Sequence, residues 1–284
     1  MSRNNTYQAD LREMKFVLWE QMKFNELLSE TSFYDGWDSE TCNMVIDQAM
    51  KFTVNEIGPI FSATDQEGPI FDPTDGSVTL APFFKEAYNK ALEAGFQSLM
   101  VSTESGGQGA PYSLVTTVFE MISGAGPTLF MLLTAGCAAI EIIDNHGSQE
   151  QKEMWIPKLA SGEWNATMVL SEPDAGSDVG NIRTKAVKQS DGSYLIKGTK
   201  IWISQGEHDA NENIVHMVLA RAEGAPAGTK GLSLFIVPKH RVDKSGNTTS
   251  IHNDISCIGI EHKMGIHGSP TCTLNFGEND ACQG

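Results

Sequence analysis

The sequence predicts an α+β protein, in which an all-helical N-terminal part precedes a β-barrel-like domain. Up to about residue 160 the apolar residues recur with the helical period, whereas from Ala166 they alternate as in strands. Helices and strands occupy separate halves of the chain, which favours two packed domains over alternating βαβ units. We expect a helical extension at residues 1–80, a helical domain at 81–163 and a β domain at 164–284.

Capping and breaking residues divide the helical half. Asp38 and Ser148 are suitable N-caps, Pro82 suits a first helical turn, and Gly58-Pro59 is expected to end the second helix. A turn-rich connector at 57–80 and a glycine-rich loop at 103–111 separate the helical patterns. The predicted helices are residues 7–28, 38–56, 82–94, 112–123, 127–145 and 148–160.

In the β half, Ser190-Asp-Gly-Ser is a tight hairpin signal between two alternating segments. After the last strand pattern we expect no closing element, so the β domain is predicted to be incomplete at its end and the chain to be an N-terminal fragment. The predicted strands are residues 167–170, 184–189, 194–197, 200–203, 214–220, 232–237 and 271–276.

Composition excludes several function classes. The 284 residues carry a formal net charge of −16, and their Lys and Arg residues are scattered, which argues against a nucleic-acid surface. The apolar runs are short and no leader pattern is present, so we expect no membrane span and a cytoplasmic protein. The five cysteines are widely spaced, which predicts reduced thiols and no metal site.

The stretch MVLSEPDAGSDVG at 168–180 is more polar than a turn requires, and it follows a strand pattern. Ser171 offers a hydroxyl at the strand end, and Gly176 permits close backbone approach to a ligand. A second strand pattern ends in Trp202 and Ser204. Two adjacent ends of this kind would clamp a planar heterocycle by stacking and hydrogen bonds. The residues alone leave a second interpretation open, a capped surface loop beside a core tryptophan.

Four segments in order resemble motifs of the acyl-CoA dehydrogenase family of flavoproteins. LSEPDAGSD and KIWISQG resemble the two flavin-side motifs of the family's β domain, at 170–178 and 200–206. The segments at 147–163 and 263–271 resemble the helix leading into that domain and a later strand entry. The long helical start is similar to the extended branch that includes 3-methylmercaptopropionyl-CoA dehydrogenases. The resemblance also implies a C-terminal helical bundle, which we expect to be absent from this chain.

The resemblance implies that the 168–180 loop binds FAD. Ser171 would hydrogen-bond the flavin ring, and Trp202 would pack against it. Ser177 would lie where the CoA arm of the substrate and the FAD pyrophosphate pass, and so would also bind substrate. The implied cofactor-binding residues are Met168, Leu170, Ser171, Gly176, Ser177, Trp202, Ile203 and Ser204.

The activity that the resemblance implies is α,β-desaturation of an acyl-CoA thioester, with electrons passed to an electron-transfer flavoprotein. Such proteins are commonly homo-oligomers. The family's catalytic glutamate comes from the C-terminal bundle, so no catalytic residue is assigned here and the fragment is expected to be inactive alone. Glu172 is expected to be structural. The alternatives are an acyl-CoA oxidase and a flavin- or acyl-CoA-binding module without catalysis.

Three positions depart from the family pattern. Ser105 stands where an aromatic residue often precedes the glycine pair, and Gln205 replaces the usual Asn. His267 replaces a common Arg, which we expect to be a trait of the sub-family.

Overall fold

The computed structural model of the protein describes residue 5 and residues 7–284, so the first four residues and residue 6 of the expected extension lie outside it. The chain first forms α1 (Leu11–Phe16), a π-helical turn at Val17–Gln21 and α2 (Phe24–Glu30). The prediction of one helix over 7–28 is wrong, because Lys23 adopts a left-handed conformation (φ 50°) and breaks it.

Helix α3 (Ser39–Phe52) begins, as predicted, at Asp38, whose carboxylate accepts from the Thr41 amide. The expected stop at Gly58-Pro59 is wrong. The chain continues through π and 3-10 turns into α4 (Phe61–Glu67), because proline needs no hydrogen bond in the first turn of a helical segment. A short hairpin follows, formed by β1 (Ile70–Phe71) and β2 (Val78–Thr79).

The remaining helices lie where the periodicity predicts them. They are α5 (Pro82–Glu93), α6 (Tyr112–Ala125), α7 (Pro127–His146) and α8 (Gln149–Ala160). The capping box at Ser148 is present. One hydrophobic cluster runs from Leu18 to Leu133, so helices before and after residue 80 pack into a common core.

Helix α7 is long and apolar enough, by length and composition, to cross a membrane, which the expectation of short apolar runs overlooked. Half of its most apolar stretch is buried within the structure. It packs on α5, α6, α8 and β3, as the core helix of a folded domain does.

The strands of the β half are β3 (Trp164–Val169), β4 (Lys185–Lys188), β5 (Tyr194–Ser204), β6 (Asn213–Ala222), β7 (Leu232–Pro238), β8 (His240–Val242), β9 (Thr248–His252), β10 (Ile255–Ile260) and β11 (Thr271–Phe276). Seven of them form a curled sheet in the order β10-β11-β5-β4-β6-β3, with β7 paired to β6. The pairs β3–β6 and β4–β6 are parallel, and the other pairs of this sheet are antiparallel. A helical half followed in sequence by this sheet confirms the predicted fold class.

Three expectations about the β half are corrected. The two strands predicted at 194–197 and 200–203 are one strand, β5, because Gly198 and Thr199 continue its pairing with β11. The hairpin of β8 (His240–Val242) and β9 (Thr248–His252), and strand β10, were not predicted. The last residues are not left unpaired after β11, since the backbones of Tyr194 and Gly284 exchange hydrogen bonds of 2.8 and 2.9 Å.

All five cysteines are buried and free, as predicted for reduced thiols.

Candidate functional site

The loop that follows β3 meets the end of β5. The Ile201 amide donates to the Ser171 carbonyl oxygen at 3.0 Å, which joins the two strand ends although they are not neighbours in the sheet. Met168 lies on the outer face of β3 with 39% of its surface exposed, and Ser171 is half-buried. Ser171 therefore lies beside the end of β5, and the exposed Met168 precedes it on β3.

Trp202 presents its indole on the outer surface, near the end of β5. Its side chain is 59% exposed, and its backbone is left-handed, with φ 58°. Strand β5 carries a bulge here, since the pairing with β11 shifts register between Cys272 and Leu274. A bulge re-aims a side chain, and a bulky residue at positive φ stores roughly 1–3 kcal/mol of strain. The bulge thus directs a large aromatic ring away from the core, where an ordinary strand tryptophan would pack.

The next two residues point in different directions. The Ile203 side chain is 3% exposed and belongs to the core of the β half, so only its backbone is available to a ligand on the outer face. Ser204 is exposed and lines the same cavity as Trp202.

Glu172 and Lys200 anchor the loop from inside. The Lys200 ammonium, fully buried, donates to the Glu172 carboxylate at 3.0 Å and to the carbonyls of Leu170 and Leu219 at 2.8 and 2.7 Å. Glu172 also accepts from the backbone amides of Arg183 and Thr184, at 2.6 and 2.9 Å, and from the Thr184 hydroxyl.

These contacts decide the charge state of the Glu172 carboxyl group. Burial raises the pKa of Glu172, but the hydrogen bonds from Thr184, Arg183 and Lys200 outweigh it, and the net pKa lies below its usual value. Glu172 is therefore an ionised structural carboxylate with its oxygens occupied by donors, and it does not face the outer surface.

Gly176 and Ser177 form the tip of the loop. Gly176 has no positive φ, and a Cβ atom built on it would meet only the Ser171 hydroxyl, at 4.0 Å. Nothing within the described chain therefore requires glycine there. The space beside it suits a ligand that passes close to the backbone, and Ser177 is exposed next to that space.

A cavity of about 480 Å³ opens beside Trp202. Its far wall comes from the chain between β10 and β11, including Lys263, Ile266 and Ser269. The sequence motif at 263–271 marked this segment, but spacing gave no sign that it faces Trp202. The cavity adds a wall of mixed polar and apolar groups to the stacking surface, and its size falls in the range of small-molecule sites.

Comparison with known proteins identifies these segments. Residues 39–163 match the model of the acyl-CoA dehydrogenase N-terminal domain, and residues 167–278 match that of the acyl-CoA dehydrogenase middle domain. A butyryl-CoA dehydrogenase of Syntrophomonas wolfei is 38% identical over 99% of this chain and 46% of its own length. A 3-methylmercaptopropionyl-CoA dehydrogenase of Ruegeria pomeroyi is 38% identical over 95% of this chain and 45% of its own.

Among solved structures, an acyl-CoA dehydrogenase from Bacillus anthracis complexed with FAD superposes with a TM-score of 0.65 and 27% identity, over 88% of this chain and 36% of that one. The chain spans about half the length of the curated relatives it matches. Because the two family models together cover most of the sequence in the expected order, the chain belongs to the acyl-CoA dehydrogenase family.

Proposed function

We propose that the chain forms the FAD-binding part of an acyl-CoA dehydrogenase that introduces an α,β double bond into an acyl-CoA thioester. The observation that carries this proposal is the exposed indole of Trp202, held at positive φ on a bulge beside the Ser171 strand end. An aromatic ring next to hydroxyl and backbone groups fits one face and one edge of an isoalloxazine ring.

We assign the binding of FAD to the residues around these strand ends as follows. Trp202 supplies the stacking surface, the Ser171 hydroxyl lies at the strand end where a ring edge would be hydrogen-bonded, and the backbone around Met168 and Leu170 borders the ring. Gly176 and Ser177 leave room for phosphates and the CoA arm. Bound FAD would supply the acceptor for a hydride from the substrate β-carbon.

We assign the base for the proton of the α-carbon to none of the residues around Trp202, although Glu261 and His262 line the cavity there. Glu172, the acidic residue next to Ser171, accepts hydrogen bonds from Lys200, Arg183 and Thr184 and is buried, so it is not available to substrate. We propose, as the family resemblance implies, that the base belongs to a part of the complete protein outside residues 1–284, and we expect these residues alone to be inactive. Electron-transfer flavoprotein as acceptor, homo-oligomeric assembly and a cytoplasmic location complete the proposal.

Within this reaction we also propose a particular acyl-CoA as substrate. 3-Methylmercaptopropionyl-CoA is the first substrate to test, because the relative of that name is 38% identical to this chain. Butyryl-CoA is the matched comparison, since its relative has the same identity. Reoxidation of the reduced protein by oxygen alone would favour an oxidase instead.

The test uses the complete gene product and its FAD affinity, measured by flavin fluorescence. Trp202→Ala should weaken binding several-fold to about tenfold, as the loss of an aromatic stack predicts. Tyr112→Ala is the matched control, because Tyr112 is 56% exposed on α6 and outside the cavity, and should leave affinity unchanged. A wild-type protein that takes up no FAD would refute the proposal, and equal affinities of the two variants would remove Trp202 from the site.

A further inference from the structure

The segment Lys263–Gly268, here called the 263–268 loop, forms one wall of the cavity beside Trp202. Lys263, Gly265 and Ile266 line that cavity together with Trp202 and Ser204. The position of this loop therefore sets the width of the cavity over the indole.

Hydrogen bonds close the loop on itself, between His267 and the Lys263 carbonyl and from the Ser269 amide to the Ile266 carbonyl, but its exposed side chains add little packing. The Met264 side chain is fully exposed, and a Cβ atom on Gly265 would meet nothing within 4 Å. Ile266 is left-handed, with φ 55°, a conformation that a β-branched residue adopts only under constraint. Contacts inside the loop supply part of this constraint, and a contact from outside the loop supplies the rest.

The contact from outside the loop is made by Asp65, on helix α4 of the helical half. One carboxylate oxygen of Asp65 accepts from the His267 backbone amide at 2.9 Å, and the other lies 2.9 Å from His267 Nδ1. The opposite ring nitrogen, Nε2, lies 2.6 Å from the Lys263 carbonyl oxygen. Next to this contact, Gly268 packs so closely on Thr64 that a Cβ atom would approach it to 2.4 Å.

Both ring nitrogens of His267 thus face oxygen acceptors. A neutral imidazole carries a single N–H, so the two ring hydrogen bonds form together only when the ring is protonated. The Asp65 hydrogen bond, followed by that to the Lys263 carbonyl, raises the pKa of His267, while the Lys263 ammonium opposes this. Lys263 donates to the Ser269 carbonyl, and its ammonium lies near both Asp65 and Glu261. The carboxylate in contact with the His267 ring is that of Asp65, at 2.9 Å.

The loop also has space behind it. A second cavity of about 210 Å³ lies on its other side, between α4 and the start of α7, and is lined by Thr64, Asp65, Gly265 and Ile266. A loop released from Asp65 therefore has room to move away from Trp202.

We propose that Asp65 and His267 form a pH-dependent tether that positions the 263–268 loop against Trp202, so that ligand affinity in this cavity falls when His267 loses its proton. The identification of FAD as that ligand rests on the proposed function, whereas the tether itself does not. Asp65 and His267 are positioning residues that act through the loop.

Two readouts test the tether in the complete gene product, at about pH 6 and about pH 8.5, on either side of the range in which histidine titrates. The first is amide hydrogen exchange of residues 263–268 without FAD, corrected for the intrinsic pH dependence of exchange. The second is FAD affinity. Wild-type protein should exchange faster in this loop and bind FAD about tenfold more weakly at the higher pH, as the loss of one charge-assisted hydrogen bond predicts.

Three variants sharpen the result. His267→Arg keeps a positive charge at both pH values and should abolish the pH dependence while retaining the tether. Asp65→Asn should leave the loop exchanging fast and FAD bound weakly at both. Asp47→Asn is the matched control, because Asp47 forms a comparable ion pair with Lys15 at 2.7 Å and lines neither cavity, and it should behave as wild type.

The two proposals fail separately. If wild type and His267→Arg show the same pH dependence of loop exchange, the tether is refuted whatever the protein binds. If loop exchange responds as expected but no FAD binds at either pH, the tether stands and the proposed function is refuted.

Discussion

The helical half and the β half of the molecule bury different kinds of side chain. The core of the helices is almost wholly apolar, with large buried residues such as Leu114, Met121 and Leu132. By contrast, every buried Asp, Glu, Lys, Arg or His side chain among the described residues lies after residue 170. These are Glu172, Lys200, Glu207, His208 and His216.

The difference shows how each half specifies its shape. Apolar contacts are non-directional and fix the packing of helices by volume. Buried polar groups cost free energy unless they are hydrogen-bonded, so a satisfied pair such as Glu172–Lys200 selects one backbone arrangement of the strand ends around it. The candidate site lies where the directional kind of packing is used.

The largest expected effect is a loss of stability in acid, which comes from the buried histidines of the β half. Burial lowers the pKa of His208 and of His216 from 6.5 to about 3. Because the unfolded chain then takes up protons that the folded chain does not, stability falls as pH drops from about 6.5 towards 3. The loss is about 1.4 kcal/mol per histidine per pH unit, or roughly 4 kcal/mol for both between pH 7 and pH 5. Urea unfolding at several pH values measures it.

The matched variants for this prediction are His216→Gln and His146→Gln. The first should remove about half of the pH slope, and the second, at an exposed histidine of the helical half, should leave the slope unchanged. An unaltered slope in His216→Gln would show that other groups drive the acid response.

Breaking the buried ion pair should change the unfolding free energy by a similar amount. Lys200→Met leaves the Glu172 carboxylate buried without its cation and should cost about 3–5 kcal/mol of unfolding free energy. Lys197→Met, three residues earlier on β5, removes an exposed pair with Asp280 and should cost less than about 1 kcal/mol. Equal losses in urea unfolding would contradict the view that buried polar groups hold the strand ends.

The smallest expected effect lies at the bulge. Trp202→Gly should be more stable than Trp202→Ala by about 1 kcal/mol, because alanine keeps a Cβ atom at φ 58° and glycine does not. Paired thermal or urea unfolding of the two variants measures the difference. An alanine variant as stable as the glycine variant would mean that the bulge relaxes on substitution and stores no strain.

The sequence by itself determined the fold class, helices α5 to α8 and the two motif segments that meet at the site. These depend on local properties, namely hydrophobic period, N-caps such as Asp38 and Ser148, and turn residues. The same local rules failed at Lys23 and Pro59, where single backbone conformations broke one helix and carried another past an expected stop.

Tertiary structure alone decided how the site is built. The bulge that exposes Trp202 depends on the register of β5 against β11, which no pattern within β5 reveals. The contact between Asp65 and His267 joins residues 202 positions apart, on different halves of the molecule. Local sequence sets which residues are available, but backbone strain and long-range pairing depend on the whole packed chain, and here they set the position of the residues around the cavity.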